Sequence, residues 1–526
     1  MKRMITSSAA ERADTTVSSL VFRALRGHPD RVAFSWSGGR LTYADTLALI
    51  GKLQFALAPK EGGHPFRVAL LSANRAEAWC AEAAVQALRG SVTWLHPLGS
   101  LTDHLEQITD AQVDALILDA GVFKEHGADL AKRLPQSVTV WTLGAADFGK
   151  NLLAAAEEVG AALARDLSAL DDIAILNYTG GTTGKSKGAV RRQRAQGAMA
   201  LAVEANFELP AVPRFLAVAP ISHVGGTLVT PVLLRGGTVE LMPRFHPAQL
   251  LAIVERERIN MTMLVPTMIY MLLDDPALST TDLSSLELMI YGASPMSPTR
   301  LLEGLERIGP IFSQFYGQTE CYPISLLQKS DHRVNRSDLF SSCGRAVALT
   351  EVRLLDDEGN RVDTGEAGEI CVRAPYAMES YWQREDLTRD TIADGWVRTG
   401  DVARQDAEGY LFIVDRKKDM IVSGGFNVFP REVEDVLTSD PAVSMAAVIG
   451  VPDAKWGETV LAIVVARPGF QVDSERLIDL VKERKGAPHA PKSVEVVTTL
   501  PLTALGKIDK KALRQPYWGE VARQVA

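Results

Sequence analysis

The sequence predicts an α/β fold in unequal pieces: a large N-terminal domain of parallel-rich αβ sheets, a β-barrel-like subdomain, and a small α+β domain at the C-terminus. Three observations carry this. Short β-type runs alternate with helical stretches through roughly the first 320 residues, the pattern of parallel sheets covered by helices. After about residue 345 the texture changes to short strands joined by tight turns, and after about 416 it changes again. At 526 residues, the chain also exceeds what one ordinary core holds.

The elements follow in order. The start, MKRMITSSAAERADTT, is basic but has no apolar stretch, so no secretory signal is expected. RVALLS (67–72), SVTWLH (91–96), DALILD (114–119) and VTVWTL (138–143) read as strands, with AEAWCAEAAVQAL as a helix among them. IAILNY (173–178) is a further buried-type strand. FLAVAP, TVELMP, MTMLVP and LELMIYG follow between 215 and 292, with AQLLAIVERERI as a helix between them. EVRLLDDEGNRVDTGEAGEICVRA reads as short strands joined by DEG and TGEAGE turns. Beyond 416, REVEDVLTSD and SERLIDLVKERK look helical and AAVIGV and LAIVVA look like strands. The boundary is expected within IVDRKKDMIVSGG, dividing residues 1–415 from 416–526.

Composition narrows the function. Hydrophobic residues are 46% and charged ones 23%, as in soluble globular proteins. A net charge of −8 leaves no basic excess for phosphate neutralisation, so a nucleic-acid partner is not expected. Cys80, Cys321, Cys343 and Cys371 form no CxxC pair, which argues against a zinc site or a disulfide framework and fits a cytoplasmic setting. The apolar run NMTMLVPTMIYMLL (260–273) is too short to span a bilayer, so no membrane span is expected.

The most chemically loaded stretch is YTGGTTGKSKGAV, 178–190. Gly184-Lys185-Ser186 imitates the end of a Walker A loop, but the position five before Gly184 is Thr179, so the spacing fails. Its glycines still let backbone approach an anion, its hydroxyls donate, and it sits at a strand's C-terminal end, where α/β ligands gather. Four more stretches stand out: YGQTE (316–320), GWVRTGD (395–401), YLFIVDRKKDMIVSGGFNVFPREVE (410–434) and PLTALGKIDKKALR (501–514). Each alone reads equally well as a turn or a solvated surface.

Together, in this order, they resemble the adenylate-forming superfamily of acyl-CoA synthetases, peptide-synthetase adenylation domains and luciferases, from about residue 15 to 515. The opening loop is similar to the family's SGTTG and PKG pattern, with Gly180 in place of the serine and Ser186 in place of the proline. The resemblance implies an ATP-dependent carboxylic acid:CoA ligase that uses Mg²⁺ and coenzyme A. It implies that Thr179, Gly180, Gly181, Thr182, Thr183, Gly184 and Lys187 form the phosphate loop, with Thr182 taking a catalytic part. Thr319 and Gly317 would lie at the α-phosphate and Glu320 would hold Mg²⁺. Asp401 and Arg416 would bind the ribose. Gly292, Ala293 and Ser294 would flank the adenine, with Tyr316 stacked on it. Lys507 would bridge carboxylate and α-phosphate.

For the second half-reaction the resemblance implies a mobile C-terminal domain that rotates about a hinge at Lys418. Gly424, Gly425 and Phe426 would then border the thiol tunnel. ISHVGG (221–226) falls where the family shapes its acyl pocket, and His223 there would meet the substrate carboxylate. Val224, Gly225, Gly226, Met268, Tyr291 and Cys321 would form apolar or small walls, so an aromatic or aliphatic acid is expected. Nineteen residues follow Lys507, which makes coenzyme A the expected acceptor. The alternative is a stand-alone adenylation enzyme loading a carrier protein, and a homodimer is one admissible assembly.

Overall fold

The computed structural model describes residues 15–58, 65–179, 186–416, 419–423, 426–453, 456–503 and 507–518. Two large sheets dominate the N-terminal part. One has eight strands, with Lys187–Arg192, Ile173–Thr179, Ser91–Trp94, Arg67–Leu71 and Ala115–Leu118 adjacent in that order. Its centre is parallel, and the hairpin from Ile173–Thr179 to Lys187–Arg192 is antiparallel. The other has nine strands, with Cys321–Leu327, Phe312–Gln318, Leu288–Tyr291, Met261–Leu264 and Arg214–Ala217 adjacent in order. It too is parallel at its centre and closes with an antiparallel hairpin, Phe312–Gln318 against Cys321–Leu327.

Both sheets share one core. The helix Ala76–Ala87 is almost wholly buried, because its run of alanines lets backbone pack closely. Its Trp79 meets Phe34 at a ring separation of 5.2 Å, and a single apolar cluster joins this helix to Leu70 of one sheet and Phe215 of the other. Helix starts obey local chemistry. Thr16 caps Val17–Gly27, and Thr42 with Asp45 forms a reciprocal capping box for Tyr43–Leu57. The run NMTMLVPTMIYMLL divides at Pro266 into the strand Met261–Leu264 and the helix Pro266–Asp274, proline being suited to a helix's first position.

The piece after residue 345 is a five-stranded antiparallel sheet that includes Glu351–Leu355, Ala367–Arg373, Trp396–Gln405 and Leu411–Arg416. The last piece is a second five-stranded sheet whose long hairpin pairs Val443–Asp453 with Gly457–Ala466, covered by the helices Pro430–Thr438 and Ser474–Lys485. Ile421, Val433, Leu437, Val448 and Val460 give this piece a core of its own. Leu411–Arg416 and Ile421–Ser423 belong to different sheets, so the chain changes sheet within the DRKKD stretch. Among the described residues, no helix is long and apolar enough to cross a membrane.

Candidate active site

The phosphate stretch joins two paired strands: Thr179 lies opposite Lys187 and Tyr178 opposite Gly188. Gly180, Gly181, Thr182, Thr183 and Gly184 lie outside the described residues, so only the two ends of the loop are placed. Lys187 stands with its Nζ 5.5 Å from the ring centre of Tyr381. Tyr381 belongs to the short strand Ser380–Tyr381, which pairs with Lys187–Arg192 and so brings residue 381 beside the loop.

Tyr381 links this edge to the YGQTE turn. Gln318 pairs with Cys321, so Thr319 and Glu320 are the two residues of a tight hairpin turn. Glu320 is buried, and its Oε1 accepts from the Tyr381 hydroxyl at 2.6 Å. Burial and the adjacent carboxylate together keep the Tyr381 phenol protonated well above its usual range. On the other side, the buried Arg191 donates to the Thr319 carbonyl while its Nε has no partner among the described residues. Burial pulls the Arg191 pKa down, and Cys321 and Glu320 pull it back up. Neither Tyr381 nor Arg191 was singled out from sequence, since ESYW and AVRRQR carry no local sign that their side chains converge.

The residues expected at the ribose are carried by the antiparallel sheet. Asp401 is buried, lies opposite Arg416 in the strand register, and accepts from the Tyr316 hydroxyl at 2.6 Å. Burial first, and Asp401 second, raise the Tyr316 pKa. The half-buried Tyr316 is thus tied to Asp401, a link that sequence reading missed. Gly400 has a φ of +71° and donates its N–H to Glu369 at 3.1 Å, which turns the strand toward a cavity of about 300 Å³. Gln318, Glu320, Tyr381 and Thr399 line that cavity. After the strand Leu288–Tyr291, a Cβ on Gly292 would stand 2.6 Å from Phe315, so no side chain fits there. Ala293 follows in the left-handed region at φ +66°, and Ser294 is half-buried. Gly317 likewise lies against Tyr322, whose Cδ2 would stand only 2.9 Å from a Cβ.

The ISHVGG stretch is held by Asn74. Its Oδ1 accepts from the Ile221 N–H at 2.9 Å, and its Nδ2 faces the carbonyls of Ala217 and Met242 at 3.1 Å each. Gly226 has no alternative, because a Cβ would fall 1.9 Å from the Ile221 carbonyl oxygen, and Gly225 faces Ala219 similarly at 2.6 Å. His223 Nδ1 pairs with Ser222 Oγ at 2.8 Å, and burial lowers its pKa to about 3. Val224 and Met268 remain half-buried.

Two of the expected walls, Tyr291 and Cys321, are closed off in this structure. Tyr291 has no exposed surface, packs with Phe312, and joins its hydroxyl to His332 Nε2 at 2.9 Å. Cys321 is also fully buried, with its thiol pushed up to about 12 by burial. Both side chains pack in the core in this conformation. Lys507 is placed by a hairpin of its own, in which Thr503 N–H donates to the Lys507 carbonyl at 2.7 Å and Lys507 N–H donates to Thr503 Oγ1 at 3.2 Å. Lys418, Gly424 and Gly425 lie outside the described residues, and of Arg416 and Phe426 only the backbone strands are described.

Similarity to known proteins bears on this geometry. Residues 21–382 match the family model of the AMP-binding enzyme and residues 432–507 that of the AMP-binding enzyme C-terminal domain. The chain belongs to the AMP-binding enzyme family. It is 42% identical to a medium/long-chain-fatty-acid–CoA ligase, FadD8, of Mycobacterium tuberculosis, over 98% of this chain and 92% of that protein. It is 34% identical to an indoleacetate–CoA ligase of Aromatoleum aromaticum, over 93% of this chain and 95% of that one. Among solved structures, the amide bond synthetase McbA from Marinactinospora thermotolerans superposes with a TM-score of 0.88 at 34% identity, covering 95% of this chain and all of that one (100%).

Proposed function

We infer that this chain is an ATP-dependent carboxylic acid:CoA ligase, which forms an acyl-adenylate with loss of pyrophosphate and then an acyl-CoA thioester with loss of AMP. One observation carries the reading. The two carboxylates that the nucleotide chemistry needs, Glu320 and Asp401, are each buried and each gripped by a tyrosine hydroxyl at 2.6 Å. Similarity to named acid–CoA ligases over nearly the whole length supports it.

The difficulty of the first step is electrostatic, because an anionic carboxylate must attack the α-phosphorus of an anionic triphosphate. Positioning and charge neutralisation therefore do most of the work. Thr182, Thr183 and Lys187 would cradle the β- and γ-phosphates, and Thr319 would donate to the α-phosphate. Asp401 accepts the ribose hydroxyls, with Arg416 beside it in register. Gly292, Ala293 and Ser294 border the adenine. Lys507 bridges the attacking carboxylate and the α-phosphate as charge builds on the phosphorane oxygens.

Glu320 suits Mg²⁺, since only its Oε1 takes a hydrogen bond among the described residues, which leaves a hard oxygen donor beside the cavity. When bound, the ion would offset phosphate charge. His223, kept neutral, orients the substrate carboxylate, and the half-buried Val224 and Met268 suit an apolar aromatic or aliphatic acid. For the second step the domain 416–526 turns about Lys418 relative to residues 1–415. Lys507 then leaves the site and the thiol enters past Gly424, Gly425 and Phe426.

The test is pyrophosphate release from ATP with Mg²⁺ across aromatic, cyclic and fatty acids, with and without CoA. The expected result is acid-dependent release that ends in AMP and an acyl-CoA. A second reading, transfer to an amine, is favoured by the likeness to the amide bond synthetase. Pyrophosphate release with no CoA product would select it.

A further inference from the structure

We infer that His96 is a second binding residue of the acid site, a neutral imidazole donor beside His223 that takes one oxygen of the substrate carboxylate. This rests on the proposed placement of the acid at His223. His96 lies two residues beyond the strand Ser91–Trp94, at its C-terminal end, where ligands of parallel sheets gather. His223 lies beyond the end of Arg214–Ala217 in the other sheet. The two rings meet edge-on, with centroids 4.5 Å apart and planes at 68°. A ligand bonded to one ring therefore lies against the other.

Hydrogen bonding settles which nitrogen of His96 carries the proton. The Leu98 N–H donates to His96 Nδ1 at 3.1 Å, so Nδ1 is an acceptor and the ring proton sits on Nε2. Nε2 has no hydrogen-bond partner among the described residues, and the residue is half-buried. The loop that carries it is pinned. His104 Nε2 pairs with the His96 carbonyl at 2.9 Å, and a carbonyl only accepts, so His104 Nε2 is protonated. His104 Nδ1 then accepts from His126 Nε2 at 2.8 Å. Burial works in the same direction, lowering His96 to about 4.

Neutral donors suit this chemistry. Beside Lys507, a second full cation on the carboxylate would tighten the ion pair and drain the charge it needs to attack phosphorus. An uncharged N–H aims the oxygen and leaves it nucleophilic.

The test compares His96→Phe, which keeps a ring and removes the donor, with His96→Gln, which restores an N–H, and with His223→Phe. Dodecanoate, indole-3-acetate and ferulate serve as probes in the pyrophosphate assay, and melting curves check folding. His96→Phe is expected to raise KM for the acid about tenfold to a hundredfold, with KM for ATP held within about twofold. His96→Gln is expected to recover most of that loss. If His96→Phe melts early, His96→Leu is read in the same way.

An unchanged acid KM in His96→Phe beside a raised one in His223→Phe would overturn the inference alone. Acid and ATP KM rising together would make His96 merely structural and would overturn it as well. If neither histidine moved the acid KM, or no probe released pyrophosphate, the placement of the acid or the proposed function would fall, and this inference with it.

Discussion

Glu320 shows how the fold holds a single buried carboxylate beside a cavity. A carboxylate buried without partners is costly, so the fold supplies a hydroxyl from Tyr381 while Arg191 braces the neighbouring Thr319 carbonyl. Removing that hydroxyl in Tyr381→Phe is expected to lower kcat/KM for MgATP roughly tenfold, with the melting temperature nearly unchanged. Steady-state kinetics at saturating acid measures it, and wild-type values would remove Tyr381 from the site. Glu320, Asp401, His223 and Lys507 were singled out in the sequence because the motifs that hold them, taken together, resemble those of one family. Their partners were not. Tyr381 is 61 residues from Glu320 in the chain, and Tyr316 is 85 from Asp401. No local pattern encodes pairings at such separations, which is also why Tyr291 looked like a pocket wall and is instead locked to His332 in the core.

At the scale of elements, strand ends converge and their loops carry the chemistry. Asn74 shows how loops from both sheets are fixed together, because one amide faces the carbonyls of Ala217 and Met242 and accepts the Ile221 N–H. Asn74→Ala leaves these buried groups without partners, a cost of about 2–4 kcal/mol. The expected outcome is a lowered urea midpoint together with a raised KM for the acid, since the His223 loop loses its anchor. Asn74→Asp keeps an acceptor for Ile221 but turns a carboxylate oxygen toward the carbonyls of Ala217 and Met242, and is expected to cost at least as much. A midpoint equal to wild type in Asn74→Ala would refute this role. The strands themselves were legible, because buried parallel strands are continuous apolar runs such as RVALLS and MTMLVP. Their order was not, because sheet neighbours such as Ser91–Trp94 and Ile173–Thr179 are far apart in sequence.

For the whole molecule, the account places two half-reactions in one site served by two faces of a small domain. That domain has its own core, built on Ile421, Val433 and Val448, as a unit that turns as one body requires. Lys507 belongs to it and is presented on a turn closed by Thr503. On the proposed reading, the division into adenylation and thiol transfer depends on a lysine that serves only the first. The measurement that tests this most directly takes Lys507→Ala through both half-reactions: pyrophosphate release from ATP and acid, and thioester formation from supplied acyl-adenylate and CoA. The account predicts that the first falls by at least about a hundredfold while the second stays within a few-fold of wild type. Equal loss of both steps, or adenylation that survives intact, would contradict it.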